Sequence, residues 1–211
     1  MLTQQPRATL TEQRPVQSII AGRRTIRRFE PGPVSREVIE RLLSAAVQAP
    51  NHRRTQPWRF FVVDRDGPTR QALAELAYEA ALERAAVVDD AARQRAEAKR
   101  QEVLSAPVIM LVYATRGRDE ETTQENYAAV ACGVQNLMLA GEEEGLASGW
   151  SSGGLAKHPR LRELIGADPD WQFVALLYMG RPATGPGLPP RQNVHTTFTR
   201  WLDDDTATVS A

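Results

Sequence analysis

Cysteine is nearly absent from the sequence, and so is any excess of charge. Of its 211 residues only Cys132 is a cysteine, so an internal disulfide is impossible. Lysine and arginine number 26, as do aspartate and glutamate, which leaves no overall positive field to attract nucleic acid or an anionic membrane. We therefore expect no nucleic-acid partner, and recognition of an anion must depend on a local group of side chains.

Long apolar segments are also lacking. The N-terminus, MLTQQPRATLTEQRPV, has no apolar run of the kind found in secretion signals. The longest apolar runs, such as Pro107 to Ala114, are far shorter than the roughly 20 residues needed to span a bilayer. The 3 histidines and the lone cysteine show no repeated ligand spacing, so no metal site is predicted. These absences predict a cytoplasmic protein that is not inserted in a membrane.

Hydrophobic patterning predicts one layered domain. Buried strands are predicted where aromatic and β-branched residues cluster, at 58–63, 108–113 and 173–179. Helical spacing of apolar residues predicts a helix that ends at Gly22, one capped by Ser35, two within 69–104, one at about 126–144 and a short one at about 159–165. Strands interleaved with helices indicate an α/β or α+β domain over 15–211, preceded by a flexible arm at 1–14.

The helix predicted at 126–144 is apolar on nearly every side and rich in small residues. Such a pattern predicts that the helix is buried on every side. Its small residues permit close backbone approach, which makes the same helix of a second copy a candidate packing partner. Cys132 is accordingly expected to be buried and inert. The segment that follows, GLASGWSSGG at 145–154, is interpreted as a flexible loop with many exposed amides.

Two neighbouring segments carry polar groups suited to a ligand. RRTIRRF, from Arg23 to Phe29, places four guanidinium groups and a hydroxyl within seven residues, and the arginine fork matches phosphate geometry. APNHRRTQPWRFFVV, from Ala49 to Val63, begins as a loop with several donors and continues into the first predicted strand. Arginine clusters more often lie on the solvated surface than in a ligand site. A binding site is therefore predicted only because the other motifs occur with this cluster in the same sequence.

Taken together, these segments, the small-residue helix, GLASGW and the GRP tail resemble the nitroreductase family of FMN enzymes, from about Val16 to Val194. The likeness is strongest to its short branch, the YdjA-like NAD(P)H nitroreductases. The resemblance implies a three-layer α-β-α fold with a mixed, mostly antiparallel sheet. It also implies an intertwined homodimer with two FMN molecules at the subunit interface.

The family's basic motif falls on Arg23, Arg24, Thr25 and Arg27. The resemblance implies that Arg23 and Thr25 hold the phosphate and ribityl chain, while Arg27 approaches the pyrimidine edge of the isoalloxazine. Reduced flavin carries negative charge near that edge, so a fixed cation there favours reduction.

The other cofactor contacts implied by the resemblance come from two loops and the tail. One loop, expected to reach the flavin from the partner subunit, supplies Pro50, Asn51 and His52, with Gln56 as a further donor. The other loop contacts the opposite face of the flavin, largely through backbone amides, with Trp150, Ser151, Ser152 and Gly153. Arg191 is expected to close on the phosphate. Many relatives carry Ser and Asn where this chain has 51–54, and the segment 67–104 aligns with nothing in the family pattern.

The predicted function is ping-pong hydride transfer from NADH or NADPH to an electron-poor small molecule such as a nitroaromatic or quinone. No side chain is expected to act as acid or base. Alternatives are reductive dehalogenation or flavin breakdown on the same scaffold, or a flavin-binding protein without activity. SSGG lacks the G-x-S-x-G elbow of hydrolases, which argues against a hydrolase. No G-x-G-x-x-G occurs, so we expect the nicotinamide donor to dock only transiently.

Overall fold

The computed structural model describes residues 16–183 and Thr199. Its helices are α1 (Val16–Gly22), α2 (Arg36–Ala46), α3 (Pro68–Glu83), α4 (Asp90–Ser105), α5 (Glu120–Glu143), α6 (Gly154–Lys157) and α7 (Leu161–Ile165), with a 3-10 turn at His52–Arg54. Its strands are β1 (Trp58–Val63), β2 (Val108–Ala114), β3 (Ala147–Ser151) and β4 (Gln172–Gly180). The predicted arm at 1–14 and Arg191 lie outside the described residues.

The four strands form one antiparallel sheet in the order β1-β2-β4-β3. The register pairs Leu111 of β2 with Leu176 of β4, and Gly149 of β3 with Tyr178 of β4. A parallel bridge between Thr25 and Ser148 adds the arginine segment to the β3 edge. The predicted α+β class and mostly antiparallel sheet are confirmed.

Helices cover both faces of this sheet. Side chains that alternate along β2 and β4 divide between two cores because successive residues of a strand point to opposite faces. One core packs Met110 and Leu177 against α2 and α5, and the other packs Ile109 and Leu176 against α3 and α7. All seven residues of β2 are buried. The structure therefore has the predicted three layers.

A buried arginine fastens α3 and α4 to the sheet. The side chain of Arg70 is only 2% exposed, and burial lowers its pKa although the nearby carboxylates of Asp66 and Asp64 act in the opposite direction. Its guanidinium donates to five carbonyls, those of Val63, Arg65, Val103, Ala106 and Pro107. One side chain thus links the end of β1 to the end of α4 and the start of β2, which holds the covering helices in place.

The prediction of a flexible loop at 145–154 is wrong. Residues Ala147–Ser151 form β3, which pairs with β4 along its whole length. Glycine at 149 is required because a Cβ atom there would lie 2.5 Å from the Ile26 carbonyl oxygen. The backbone of the arginine segment therefore approaches β3 more closely than a larger residue would permit.

The helix predicted at 126–144 begins earlier than expected and is not buried on every side. The Asp119 carboxylate accepts a hydrogen bond of 2.7 Å from the Thr122 amide and caps α5 at its true start. Gly133 and Val134 are buried, but Cys132 is exposed in the chain, so its predicted burial is wrong. The short helix predicted at about 159–165 begins at Leu161, and the other predicted helices and strands are confirmed within two residues of their expected bounds.

Candidate functional site

The arginine segment lies along the free edge of β3. The Ile26 amide donates to the Ser148 carbonyl over 3.0 Å, and the Glu30 amide donates to the Arg181 carbonyl over 2.9 Å. Phe29 also forms a bridge with Pro182, just after β4. The segment is therefore held at both ends, and its side chains lie beside the end of β3.

Arg27 connects this segment to α4. Its guanidinium donates to Glu102 Oε1 over 2.7 Å and to the Trp150 carbonyl over 3.3 Å. Glu102 also accepts a hydrogen bond of 2.6 Å from Lys99. Burial raises the pKa of Glu102, but the hydrogen bonds from Lys99 and Arg27 outweigh burial and hold it below its ordinary value. The predicted cofactor cation is thus partly neutralised by a carboxylate.

A tyrosine lies next to this ion pair. Tyr178 is only 4% exposed, and its pKa is raised by burial and further by the charge of Glu102. Its hydroxyl therefore stays protonated. Sequence reasoning missed Glu102, Lys99 and Tyr178, because their link to Arg27 depends on contacts far apart in the chain. The only local signal was the spacing of Lys99 and Glu102 on one helix face.

The two other arginine-segment residues differ in their surroundings. Arg24 donates to the carbonyls of Ala21 and Arg23, so its guanidinium is engaged at the end of α1. Arg23 is half-buried and forms no ion pair within residues 16–183. Thr25 is exposed. Within residues 16–183, a guanidinium without a carboxylate partner and an exposed threonine therefore remain at the β3 edge.

The segment after β3 lies within reach of this edge. Trp150 is half-buried and packs against the core under α5, while its carbonyl accepts from Arg27. Ser152 is exposed, and the Gly153 amide donates weakly to Ser151 Oγ over 3.4 Å. The structure thus joins the two predicted segments through Arg27 and Trp150, with Thr25 bridged to Ser148 at the same edge.

The loop Pro50–Gln56 is organised by its own side chains. Asn51 accepts from the Gln56 amide over 2.9 Å and donates to Thr55 over 2.9 Å. The side-chain oxygen of Gln56 accepts a hydrogen bond of 2.9 Å from the Trp58 indole N–H. His52 lies 2.7 Å from Glu125 at the start of α5. Pro50 and His52 are exposed.

Backbone strain is concentrated in this loop. Arg53, Arg54 and Gln56 have φ of 58°, 52° and 51°, a left-handed conformation that favours glycine. Non-glycine residues adopt it at a cost that the surrounding contacts must offset, and such residues cluster at functional sites. The conformation is a reason to regard the loop as a binding element.

The loop lies at the opposite end of the sheet from the arginine segment. It precedes β1, the first strand in the sheet order, whereas Arg23–Arg27 flank β3, the last. With neighbouring strands about 4.8 Å apart, the two edges are separated by about 14 Å. Within one chain, the predicted contacts Pro50, Asn51, His52 and Gln56 are therefore not brought to the other predicted site residues.

The described residues form neither a cluster of metal ligands nor a membrane-spanning helix. Nowhere in the described residues do three or more His, Cys, Asp or Glu side chains converge as metal ligands would. No helix within the described ranges has the length and apolar character needed to cross a membrane.

Known proteins share this sequence pattern and this fold. The chain is 28% identical over 184 residues to the "Putative NAD(P)H nitroreductase YfhC" of Bacillus subtilis, covering 87% of this chain and 93% of that protein. It is 29% identical over 166 residues to the protein of the same description, YdjA, from Escherichia coli, covering 78% and 86%. To 5,6-dimethylbenzimidazole synthase of Rhodobacter capsulatus it is 30% identical over 173 residues, covering 78% and 82%.

Solved structures agree. The nitroreductase-like protein from Bacillus cereus superimposes with a TM-score of 0.77 at 25% identity, covering 92% of this chain and all of that one. The "putative nitroreductase in complex with FMN" from Desulfovibrio desulfuricans gives a TM-score of 0.69 at 26% identity, covering 90% and 98%. The profile of the Nitroreductase family matches residues 20–181, well over half of the sequence. The chain therefore belongs to the nitroreductase family of oxidoreductases.

Proposed function

We propose that the protein is a cytoplasmic, homodimeric FMN-dependent oxidoreductase that uses NADH or NADPH to reduce an electron-poor small molecule, such as a nitroaromatic or quinone. The proposal depends chiefly on one observation, the contact of Arg27 with Trp150 at the β3 edge, where Thr25 is bridged to Ser148. FMN, when bound, would supply the redox chemistry, which is hydride transfer between the nicotinamide and the acceptor. The side chains of the protein bind and orient the flavin and the substrates, and none acts as an acid or base.

The groups at the β3 edge fit a flavin nucleotide. Arg23 has no carboxylate partner among the described residues, and its guanidinium suits a phosphate. The exposed Thr25 hydroxyl and the exposed backbone around Ser152 suit a polyol chain and the polar rim of a ring. Arg191 is proposed as a second phosphate contact on the resemblance alone.

Arg27 has a more specific role in this proposal. Its guanidinium is oriented by Glu102 and the Trp150 carbonyl, so it is fixed before any ligand arrives. A fixed cation near the ring stabilises the charge that develops on reduction. Glu102 limits that stabilisation, because its carboxylate compensates part of the charge on Arg27.

Two features support a homodimer. Apolar side chains are exposed on α1 and α5, with Val16 at 69%, Ile20 at 51% and Tyr127 at 41%. Residues Pro50–Gln56 are separated from the β3 edge by the width of the sheet. A second copy packed on α5 would cover the apolar surface and bring its loop to the first copy's site.

The test is the visible absorption spectrum of the purified protein, with mass spectrometry of whatever heat releases from it. We expect bound FMN that bleaches when NADH or NADPH is added and recovers when a quinone or nitroaromatic follows. A protein that remains colourless after incubation with FMN would overturn the proposal. Flavin that binds but never bleaches with either donor would leave only a flavin-binding protein.

A second candidate is supported by the likeness to 5,6-dimethylbenzimidazole synthase. On this alternative the protein would break down reduced flavin in the presence of oxygen. Incubating the reduced holoprotein in air and searching for dimethylbenzimidazole by mass spectrometry distinguishes the two activities, since a simple reductase regenerates intact FMN.

A further inference from the structure

A cavity of about 600 Å³ opens between α3, α4 and the segment that follows β3. Each helix contributes one stripe, because its lining residues recur every three or four positions. Three residues from each side define the walls: Ala77, Ala80 and Arg84 from α3 and its end, and Arg95, Lys99 and Glu102 from α4. The cavity has the size of a typical small-molecule site.

This cavity adjoins the predicted cofactor segment. Ser151 and Gly153 belong to its lining, and the neighbouring Gly154 packs so closely that a Cβ there would lie 3.1 Å from the Cβ of Ala80. The α3 helix therefore closes over the end of β3. A molecule in the cavity would lie beside the groups assigned to the flavin.

The charges in the lining are unbalanced. It contains three cations and a single carboxylate, and that carboxylate, Glu102, is already bonded to Lys99 and to Arg27. Arg84 and Arg95 are exposed, and neither has an ion-pair partner in residues 16–183. Arg84 follows the last residue of α3 and Arg95 lies in the first half of α4, so both flank the connection between these helices. Two guanidinium groups in an otherwise neutral lining are suited to an anion.

The remainder of the lining is mostly apolar, with Ser151 and Tyr178 as its polar side chains. Most of it is alanine from α3, α4 and the connection between them, joined by Leu155. Because an alanine side chain projects only one carbon, this wall offers a smooth apolar surface rather than pockets for branched groups. A flat ring suits such a wall.

The geometry points to an electron acceptor that combines a flat apolar body with a carboxylate, the ring against the alanine wall and the charge between Arg84 and Arg95. This inference rests on the proposed function and names the class of substrate for the same site. The phosphates of the nicotinamide donor are the other source of negative charge.

The first experiment measures binding to the oxidised holoprotein, so it does not depend on turnover. Calorimetric titration compares 4-nitrobenzoate with 4-nitrobenzamide, which has nearly the same shape but no charge. We expect the carboxylate to bind about three- to tenfold more tightly, as a partly exposed ion pair permits. Equal affinities would overturn the inference.

Variants then locate the source of that preference. Arg84→Gln and Arg95→Gln should each reduce it, and the double variant should abolish it. Arg93→Gln is the matched control, since Arg93 is an exposed arginine of α4 outside the cavity lining. A preference that survives in the double variant would refute the role of these arginines, as would an equal loss in the control.

Flavin content and steady-state kinetics distinguish the remaining outcomes. A double variant that loses FMN would show that the cavity holds the cofactor's own phosphate, and one that raises the KM for NAD(P)H but not for 4-nitrobenzoate would assign the charges to the donor. Either result overturns the inference. If the carboxylate preference depends on both arginines while no donor bleaches the flavin, the proposed reductase activity fails and the assigned ligand class stands.

Discussion

The guanidinium of Arg27 and the carboxylate of Glu102 lie 2.7 Å apart, although 75 positions separate them in the sequence. Glu102 is far less exposed than Arg27, at 12% against 40% of the side chain. The contact joins the predicted cofactor segment to the helix that walls the adjacent cavity. Any change in Glu102 should therefore affect both regions.

Replacing Glu102 with Gln should make stability less sensitive to acid. The folded pKa of Glu102 lies below its ordinary value of 4.5, so ionised Glu102 stabilises the fold above that pH and the stabilisation is lost as the pH falls through the folded pKa. We expect the free energy of unfolding of the native protein to exceed that of Glu102→Gln by about 1 kcal/mol at neutral pH. This difference should shrink under acid conditions. Thermal unfolding of both proteins across this range measures it. Glu40→Gln, in an exposed pair with Arg36, is the control and should change little at neutral pH.

Arg23→Ala should weaken retention of FMN, because the guanidinium assigned to the phosphate is lost. Loss of one charge-assisted contact of this kind costs about 1.5–3 kcal/mol, or roughly tenfold to a hundredfold in affinity. Flavin fluorescence after gel filtration and dilution reports the dissociation. Arg28→Ala, an exposed neighbour in the same segment, should retain flavin like the native protein. Full flavin occupancy in Arg23→Ala would remove Arg23 from the site.

Gly149→Ala should displace the arginine segment from β3. The added Cβ would lie 2.5 Å from the Ile26 carbonyl oxygen, which belongs to the backbone and cannot rotate away. We expect destabilisation of about 2 kcal/mol or more, together with weaker flavin binding. Gly22→Ala, where a Cβ meets no atom within 4 Å, is the control. Equal unfolding midpoints for Gly149→Ala and the native protein would contradict the close approach.

Arg70→Met should destabilise the fold severely. It leaves five carbonyls without their donor in a buried position, a loss of about 3 kcal/mol or more. Arg70→Lys should recover little, because an ammonium cannot reproduce the fork. Urea unfolding at constant temperature compares these variants with Arg65→Met, whose side chain is 85% exposed. A loss no larger than that of Arg65→Met would show that Arg70 does not fasten the helices.

Cys132 tests the proposed packing of two copies on α5. Cys132 is exposed in the single chain, and a second copy packed on α5 would cover it. It should therefore react slowly with a thiol reagent in the concentrated protein, and faster as dilution separates the copies. The control for reagent access is the double variant Cys132→Ser, Ser105→Cys, which places the thiol at the exposed end of α4. If Cys132 reacts as fast as the control at all concentrations, α5 does not form the contact.

Local patterns predicted most of the fold. The strand Trp58–Val63 and the two helices within 68–105 follow directly from aromatic clustering and helical spacing. The strand Ala147–Ser151 was missed because glycine and serine carry no strand signal, and its pairing with β4 is a tertiary effect. The start of α5 was missed because its first two turns are polar and only the capping residue Asp119 marks them.

The candidate site was predictable only where a resemblance supplied it. Arg23–Arg27 and Trp150–Gly153 were assigned from their motifs, and the structure joins the two segments through Arg27 and Trp150. Nothing in the sequence indicated that Glu102 would neutralise part of Arg27, or that Arg70 would be buried. Both depend on distances between residues remote in the chain, which periodicity cannot encode.

The separation of the β1 and β3 edges bears on inheritance of defects in a cell that makes two versions of this chain. In the proposed dimer each flavin is contacted by the arginines of one copy and the Asn51 loop of the other. A copy defective at Arg23 and a copy defective at Asn51 would then assemble into a mixed pair in which one flavin meets both defects and the other meets neither. Two alleles that are each inactive alone could in this way restore one working site between them.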